Sequence, residues 1–296
     1  MSALASTFDD RSALAERLAE HAVQALVEEA LLTPKPGLVD RRGSGAHADL
    51  DLERMLRSAR ALRGAFAAMA RAAAGQRPSQ PLREVLAAIG REGEAAMLEA
   101  TGGSNAHRGA IWAIGLLVAG AVTHGANRAA AGIAARGAAV ARHEDRFAPS
   151  APTNGARART RYRVGGAPAE ATSGFPHALK VGLPALVDGR RRGLAEEEAR
   201  LDALLAIMSL LEDTCLLHRG GFGALEAARR GAAGVLALGG VSTPGGRDAL
   251  SRLDAWMRAS NLSPGGTADL LAAVLFLDRV TAPASAPPAG GAPRRG

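Results

Sequence analysis

The chain is poor in the residues that most often carry recognisable chemistry. One cysteine, Cys215, in 296 residues excludes an internal disulfide framework and a cysteine-rich zinc site, and fits a reducing, cytoplasmic compartment. Nine aromatics (six Phe, two Trp, one Tyr) are too few for a platform on which nucleic-acid bases stack. No run of about twenty apolar residues avoids charge, so no membrane span is expected. The first residues, MSALASTFDDRSALAERLAEH, hold acids early and no apolar signal core, so no secretory leader is expected. HExxH, a P-loop, a dinucleotide-binding GxGxxG after a strand and a GxSxG elbow are all missing. Lysine is nearly absent: Lys35 and Lys180 are the only two of 36 basic residues that are not arginine.

What remains is rich in Ala, Leu, Arg and Glu, 47% hydrophobic, and patterned with helical periodicity and almost no strand-like alternation. The expected fold class is all-α, a bundle-like single domain over residues 11–281 with a long central loop. Helices are predicted at about 12–32, 51–74, 81–100, 107–142, 176–188, 196–218, 222–237, 247–259 and 266–281. Residues 1–10 and the Pro/Ala/Gly tail 282–296 are expected to be disordered, and 145–175 to be a loop with a small hairpin. The charge of +7 raises a nucleic-acid reading. Against it, the arginines are spread through every helix beside acids, and a positive field suits polyanionic small molecules equally.

The unusual residues collect at helix ends, in four segments: TPKPGLVDRRGSGAHADLD (33–51), TGGSNAHRGAIW (101–112), EDTCLLHRGG (212–221) and SNLSPGGTADLL (260–271). Helix N-termini near glycine suit phosphate, and a compact lysine ammonium where the chain otherwise uses arginine suits it too. Lys35, Arg41, Arg108 and Arg219 are therefore candidate anion contacts, with Asn105, Gly220, Gly221, Asn261, Ser263, Gly265 and Gly266 as the substrate-binding backbone and caps around them. Ser263 is expected to cap the last helix, with Pro264 as its first residue. Asp49, Asp51, Asp213 and Asp269 are candidate oxygen ligands for Mg²⁺, which takes one or two carboxylates and completes its shell with water and substrate phosphate. Asp40, beside Arg41 and Arg42, reads instead as an orienting group. His47 and His107 are candidate acid–base or phosphate contacts, and capping is the plainer role open to each. Cys215 reads as an inert buried thiol.

In this order the four segments, with TNG (153–155) and GFP (174–176) between them, resemble the triphosphoribosyl-dephospho-CoA synthase family over roughly residues 20–280. The resemblance implies a transferase that joins ATP and 3′-dephospho-CoA, releases adenine and keeps the triphosphate. Its product is the prosthetic-group precursor of the acyl carrier protein of malonate decarboxylase or citrate lyase. The short chain favours the malonate branch. A downstream phosphoribosyl-dephospho-CoA transferase and the acyl carrier protein are the implied partners; neither membrane nor nucleic acid is, and a homo-oligomer is compatible. Such a reaction needs a base for the attacking hydroxyl, for which Asp49, Asp51 or His47 is expected, and an acid for the purine, for which His107 or Asp213 is expected. The sequence departs from the family pattern at Cys215, where Asn is common in the citrate branch, and at GGAPAEATS before GFP. A helical metal-dependent N-glycosidase or ADP-ribosyl hydrolase is the rival enzyme, and a basic nucleic-acid-binding helical protein the rival from another class.

Overall fold

A computed structural model describes the backbone of residues 2–282 and side chains from residue 10 onward. Among the described residues there are thirteen α-helices, one π-helical turn and no strand; the single β-bridge pairs Asp40 with Gly43. The helices are α1 (Ser2–Leu31), α2 (Leu52–Ala61), α3 (Arg63–Ala73), α4 (Gln80–Thr101), α5 (Arg108–Val122), α6 (Ala130–Ala141), α7 (Asn154–Tyr162), α8 (Gly166–Thr172), α9 (Leu183–Arg191), α10 (Glu196–Leu210), α11 (Thr214–Ala237), α12 (Pro244–Ala259) and α13 (Gly265–Thr281). The π turn, Ala178–Gly182, runs directly into α9.

Two helices are apolar nearly all round, and both are therefore central. In α5, residues 113–121 are buried without interruption, and in α13 residues 270–277 are. They pack against each other, with α1, α3, α4, α6, α10 and α11 around them. Because α5 and α13 begin in the motif segments, the motifs are carried into the interior at these helices' N-terminal ends.

Helix starts follow capping chemistry. Asp51 accepts the backbone N–H of Arg54, Ser79 that of Leu82, Thr153 that of Ala156 and Thr243 that of Gly246. Several expected boundaries shift. Helix α1 begins at Ser2; the expected disordered tail, Ala282 apart, lies outside the described residues. The predicted helix 107–142 divides at 123–129, where Gly125 has φ 153° and Asn127 accepts the Ala129 N–H. The predicted loop 145–175 holds no hairpin but two short helices, α7 and α8, because Thr153 supplies a cap and Gly166 (φ 57°) a turn between them. The helix expected to run to 218 stops at Leu210, and Asp213 caps a new one. Pro264 occupies the N-cap position of α13, and Ser263 makes no capping bond.

Candidate functional site

The N-terminal ends of α5, α11 and α13 meet in one place. Asp213 joins two of them. Its Oδ1 accepts the N–H groups of Cys215 (2.8 Å) and Leu216 (3.4 Å) at the start of α11. Its Oδ2 accepts the Thr267 N–H (2.8 Å) and hydroxyl (2.9 Å) in the first turn of α13. A carboxylate offers about four lone-pair sites, so Asp213 has none left for a cation. Burial still pushes its pKa above the usual carboxylate range, against the pull of those four donors.

Asp269 projects from the next turn of α13 against α5. A Cβ at Gly109 would lie 1.8 Å from its Oδ2, so this approach exists only because residue 109 has no side chain. Burial raises its pKa well above the ordinary value, and the charges of Asp213 and Glu29 raise it further; the Ala110 N–H opposes them. Among the described residues no cationic side chain pairs with Asp269. The dipoles of α5 and α13 partly stand in for one.

Lys35 lies behind this pair, not in front of it. It is 1% exposed, and its Nζ donates to the Glu29 carboxylate (2.5 Å) and carbonyl (2.6 Å). The free, phosphate-gripping ammonium expected from the sequence is thus a buried ion pair. His107 is buried beside it. Its Nδ1 meets the Ser58 hydroxyl at 2.7 Å, its Nε2 has no partner, and burial together with the Lys35 charge pushes its pKa down to about 3. The imidazole is neutral. Cys215 faces the same floor, and burial with the charges of Asp213 and Asp269 drives its thiol far up, so it is no nucleophile.

His47, Asp49, Arg219, Asn261 and Ser263 form the rim. Arg219 donates to the carbonyls of Ala46 and Asn261 (3.0 Å each) and to His47 Nδ1 (3.3 Å). A guanidinium only donates, so Nδ1 is the bare nitrogen and Nε2–H donates to the Ser263 hydroxyl (2.8 Å). Burial and Arg219 lower the His47 pKa; Asp49, 3.7 Å from Nδ1, opposes them. Asn261 adopts φ 54° to turn its carbonyl toward Arg219. Gly265 and Gly266 pass directly over Cys215 and Asp213.

The remaining expected residues lie elsewhere. Asp51 caps α2. Arg41 pairs on the surface with Glu197 of α10. Asn105 accepts the Arg108 N–H and so caps α5, while the Arg108 side chain turns away to Glu94. Gly221 breaks α11 (φ 70°, ψ −168°) where Tyr162 of α7 crosses it, with Gly220 just before the break. Asp40 behaves as read: burial pushes its carboxyl up, but the Arg42 guanidinium and the N–H groups of Lys35 and Arg42 hold it below its ordinary value.

Sequence reasoning missed two participants. Glu29 sits unmarked inside a helix, one residue from half-buried Glu28, which pairs with Arg200. Arg159 of α7, unpaired with any acid among the described residues, reaches the Thr214–Gly166 contact beside the site. The Thr-Asn-Gly start of α7 was its one signal.

No group of three or more His, Cys, Asp or Glu side chains among the described residues is arranged to hold a metal. The four carboxylates expected to share one are dispersed: Asp213 is spent on backbone, Asp51 on a cap, Asp49 is at the rim and Asp269 is in the interior. No described helix is long and apolar enough to cross a membrane.

Comparison with known proteins agrees with the motif order. The profile of the CitG family, ATP:dephospho-CoA triphosphoribosyl transferase, matches residues 15–287. A Stutzerimonas stutzeri protein named probable 2-(5″-triphosphoribosyl)-3′-dephosphocoenzyme-A synthase is 57% identical over 92% of this chain and 94% of its own. One of the same name from Azotobacter vinelandii is 53% identical over 97% and 99%. The Klebsiella pneumoniae 2-(5″-triphosphoribosyl)-3′-dephosphocoenzyme-A synthase is 53% identical over 89% and 94%. No solved structure matches. The chain is a transferase and belongs to the ATP:dephospho-CoA triphosphoribosyl transferase family.

Proposed function

We propose that Asp269 and His47 are the acid and base of this transfer, and that the product serves malonate decarboxylase. The observations that support the roles are an Asp269 carboxyl buried in the junction with no cation paired to it among the described residues, its pKa pushed up, and a His47 at the rim whose Nδ1 carries no proton, its pKa pushed down. Environments that drive two groups apart in this way assign a proton donor and a proton acceptor.

In the reaction the C1′–N9 bond of ATP breaks and a bond forms from C1′ to the 2′-oxygen of 3′-dephospho-CoA. The hydroxyl proton passes to the bare Nδ1 of His47. The departing adenine takes a proton from the carboxylic acid of Asp269. Charge at C1′ builds up as in glycoside transfer, and Glu29 and Asp213 supply negative potential behind it. The triphosphate is not cleaved. Arg219, the Gly265 N–H at the start of α13 and Arg159 are the donors that would hold it. Asp49 is the rim carboxylate that would hold a Mg²⁺ ion bound with ATP, where the ion would offset the charge of the phosphates. Lys35 acts through its ion pair, holding Glu29 and His107 in place rather than touching phosphate.

Cys215, where the citrate branch commonly has Asn, supports the malonate assignment. The test is chromatography of ATP with dephospho-CoA, with and without Mg²⁺. One adenine per triphosphoribosyl-dephospho-CoA, no ADP, and dependence on both acceptor and metal are expected. Adenine released equally fast without dephospho-CoA would point to a hydrolase. Passing the product to the downstream transferase, the carrier protein of malonate decarboxylase should be loaded in preference to that of citrate lyase.

A further inference from the structure

A cavity of about 210 Å³ lies between α3, α4 and α5. Its walls are chiefly apolar, with Met69, Leu86, Ile111 and Trp112 prominent. Three arginines enter it. Arg91 is paired with Asp145 (2.6 Å) and Arg108 with Glu94. Arg83 has no acid within ion-pair distance among the described residues, and its guanidinium carbon lies over the Trp112 ring, 4.7 Å from the centroid. The Nε–H groups of Arg83 and Arg108 are buried and have no acceptor.

The unpaired Arg83 guanidinium lying over the Trp112 indole, in a slot that is otherwise apolar, defines what the slot lacks. It wants a flat, uncharged group with acceptors on its edge and faces that tolerate an indole and a guanidinium. A phosphate fits poorly, because the wall is apolar and two of the three guanidinia are already neutralised. We propose that this cavity is a purine site, and that it receives the adenine ring of one of the two nucleotide substrates. The assignment of the purine to a substrate rests on the transferase reading. Its position supports the link: Arg108 lines the cavity, and the next residue, Gly109, carries the backbone against which Asp269 packs.

Two sources of the ring are chemically alike, the leaving base of ATP and the retained base of dephospho-CoA. The test uses the full chain with Trp256→Phe, leaving Trp112 as the sole indole of the two in the sequence. Adenine alone is titrated against tryptophan fluorescence, with ribose 5-triphosphate as the base-free control. Saturable quenching by adenine and none by the control is expected. Gly90→Leu fills the slot: a Cβ there has Met69 at 3.6 Å and Ile111 at 3.9 Å as nearest neighbours, so the helix accepts it. Arg83→Met removes a donor at similar size.

Both variants should lose the quenching and raise the KM of one substrate about tenfold or more. That substrate identifies the source: ATP for the leaving base, dephospho-CoA for the retained one. Absent quenching in a folded protein, quenching that survives Gly90→Leu, or unchanged KM values in both variants would overturn the proposal. Failure of the transferase reading shows itself separately, as wild-type protein that forms no triphosphoribosyl-dephospho-CoA while adenine still quenches Trp112.

Discussion

Two groups of buried acids in this molecule have opposite electrostatics. Asp40 and Asp254, which fix the 33–51 loop to α12, share one guanidinium. Arg42 reaches Asp40 at 2.8 Å and Asp254 at 2.9 Å, and Asp254 also takes the Gly37 N–H (3.0 Å). Seven residues beyond Asp40, the same loop delivers His47 to the rim of the junction, inside which Asp269 is buried with no cation paired to it among the described residues. The clasp is closed electrically and holds shape; the junction of α5, α11 and α13 is left open, and its carboxyl stays poised to hold a proton. Burial of an aspartate alone therefore says little about role. Whether its charge is answered says more.

The largest expected effect comes from the open group. Asp269→Asn should lower the rate of adenine release about 10²- to 10⁴-fold, the usual contribution of a placed acid. Its melting temperature should stay level or rise, because an unanswered buried carboxyl has gone. A large loss of stability would show Asp269 to be structural. Gly109→Ala, which drives a methyl into that carboxylate, should cost about 100-fold through misplacement of the acid, measured as kcat with the fold checked by circular dichroism.

The closed group should respond the other way. Arg42→Leu leaves Asp40 buried without a cation and Asp254 with Arg258 alone, at 3.9 Å, and should destabilise by about 2–3 kcal/mol in denaturant unfolding, less than a fully buried pair because the guanidinium is partly solvated. Residual folded protein should keep its kcat. A selective loss of kcat at full stability would erase the distinction.

The smallest effect belongs to the GFP segment. His177 Nδ1 lies 2.7 Å from Glu170, and this bond raises the imidazole pKa against its partial burial. Its stabilisation is therefore full below about pH 6.5 and is lost as pH rises through the higher folded value. Glu170→Gln should flatten that slope in melting temperature measured between pH 6 and 9.

Much of this was legible in the sequence. Special residues at predicted helix starts located Asp213, Asp269, His107 and the glycine pair, because capping chemistry and helix dipoles are local. The all-α class followed from periodicity. What was not legible depends on which faces meet. Glu28 and Glu29 are neighbours, yet one pairs with Arg200 and Arg279 in a half-buried position and the other with Lys35 in the interior. Lys35 looked like an exposed phosphate contact because nothing local revealed Glu29. Arg83 and Trp112 come together only through the packing of α4 on α5. The α7 helix was hidden in a segment whose composition reads as loop.

The central claim, an Asp269 acid and a His47 base, is tested most directly by the pH dependence of kcat/KM for adenine release. His47 must be neutral, so the rate should fall as pH drops through its lowered pKa, below 6.5. Asp269 must be protonated, so the rate should fall again as pH rises through its raised pKa. The account predicts a bell-shaped profile whose alkaline limb disappears in Asp269→Asn and whose acid limb disappears in His47→Gln. An alkaline limb that persists unchanged in Asp269→Asn would contradict it.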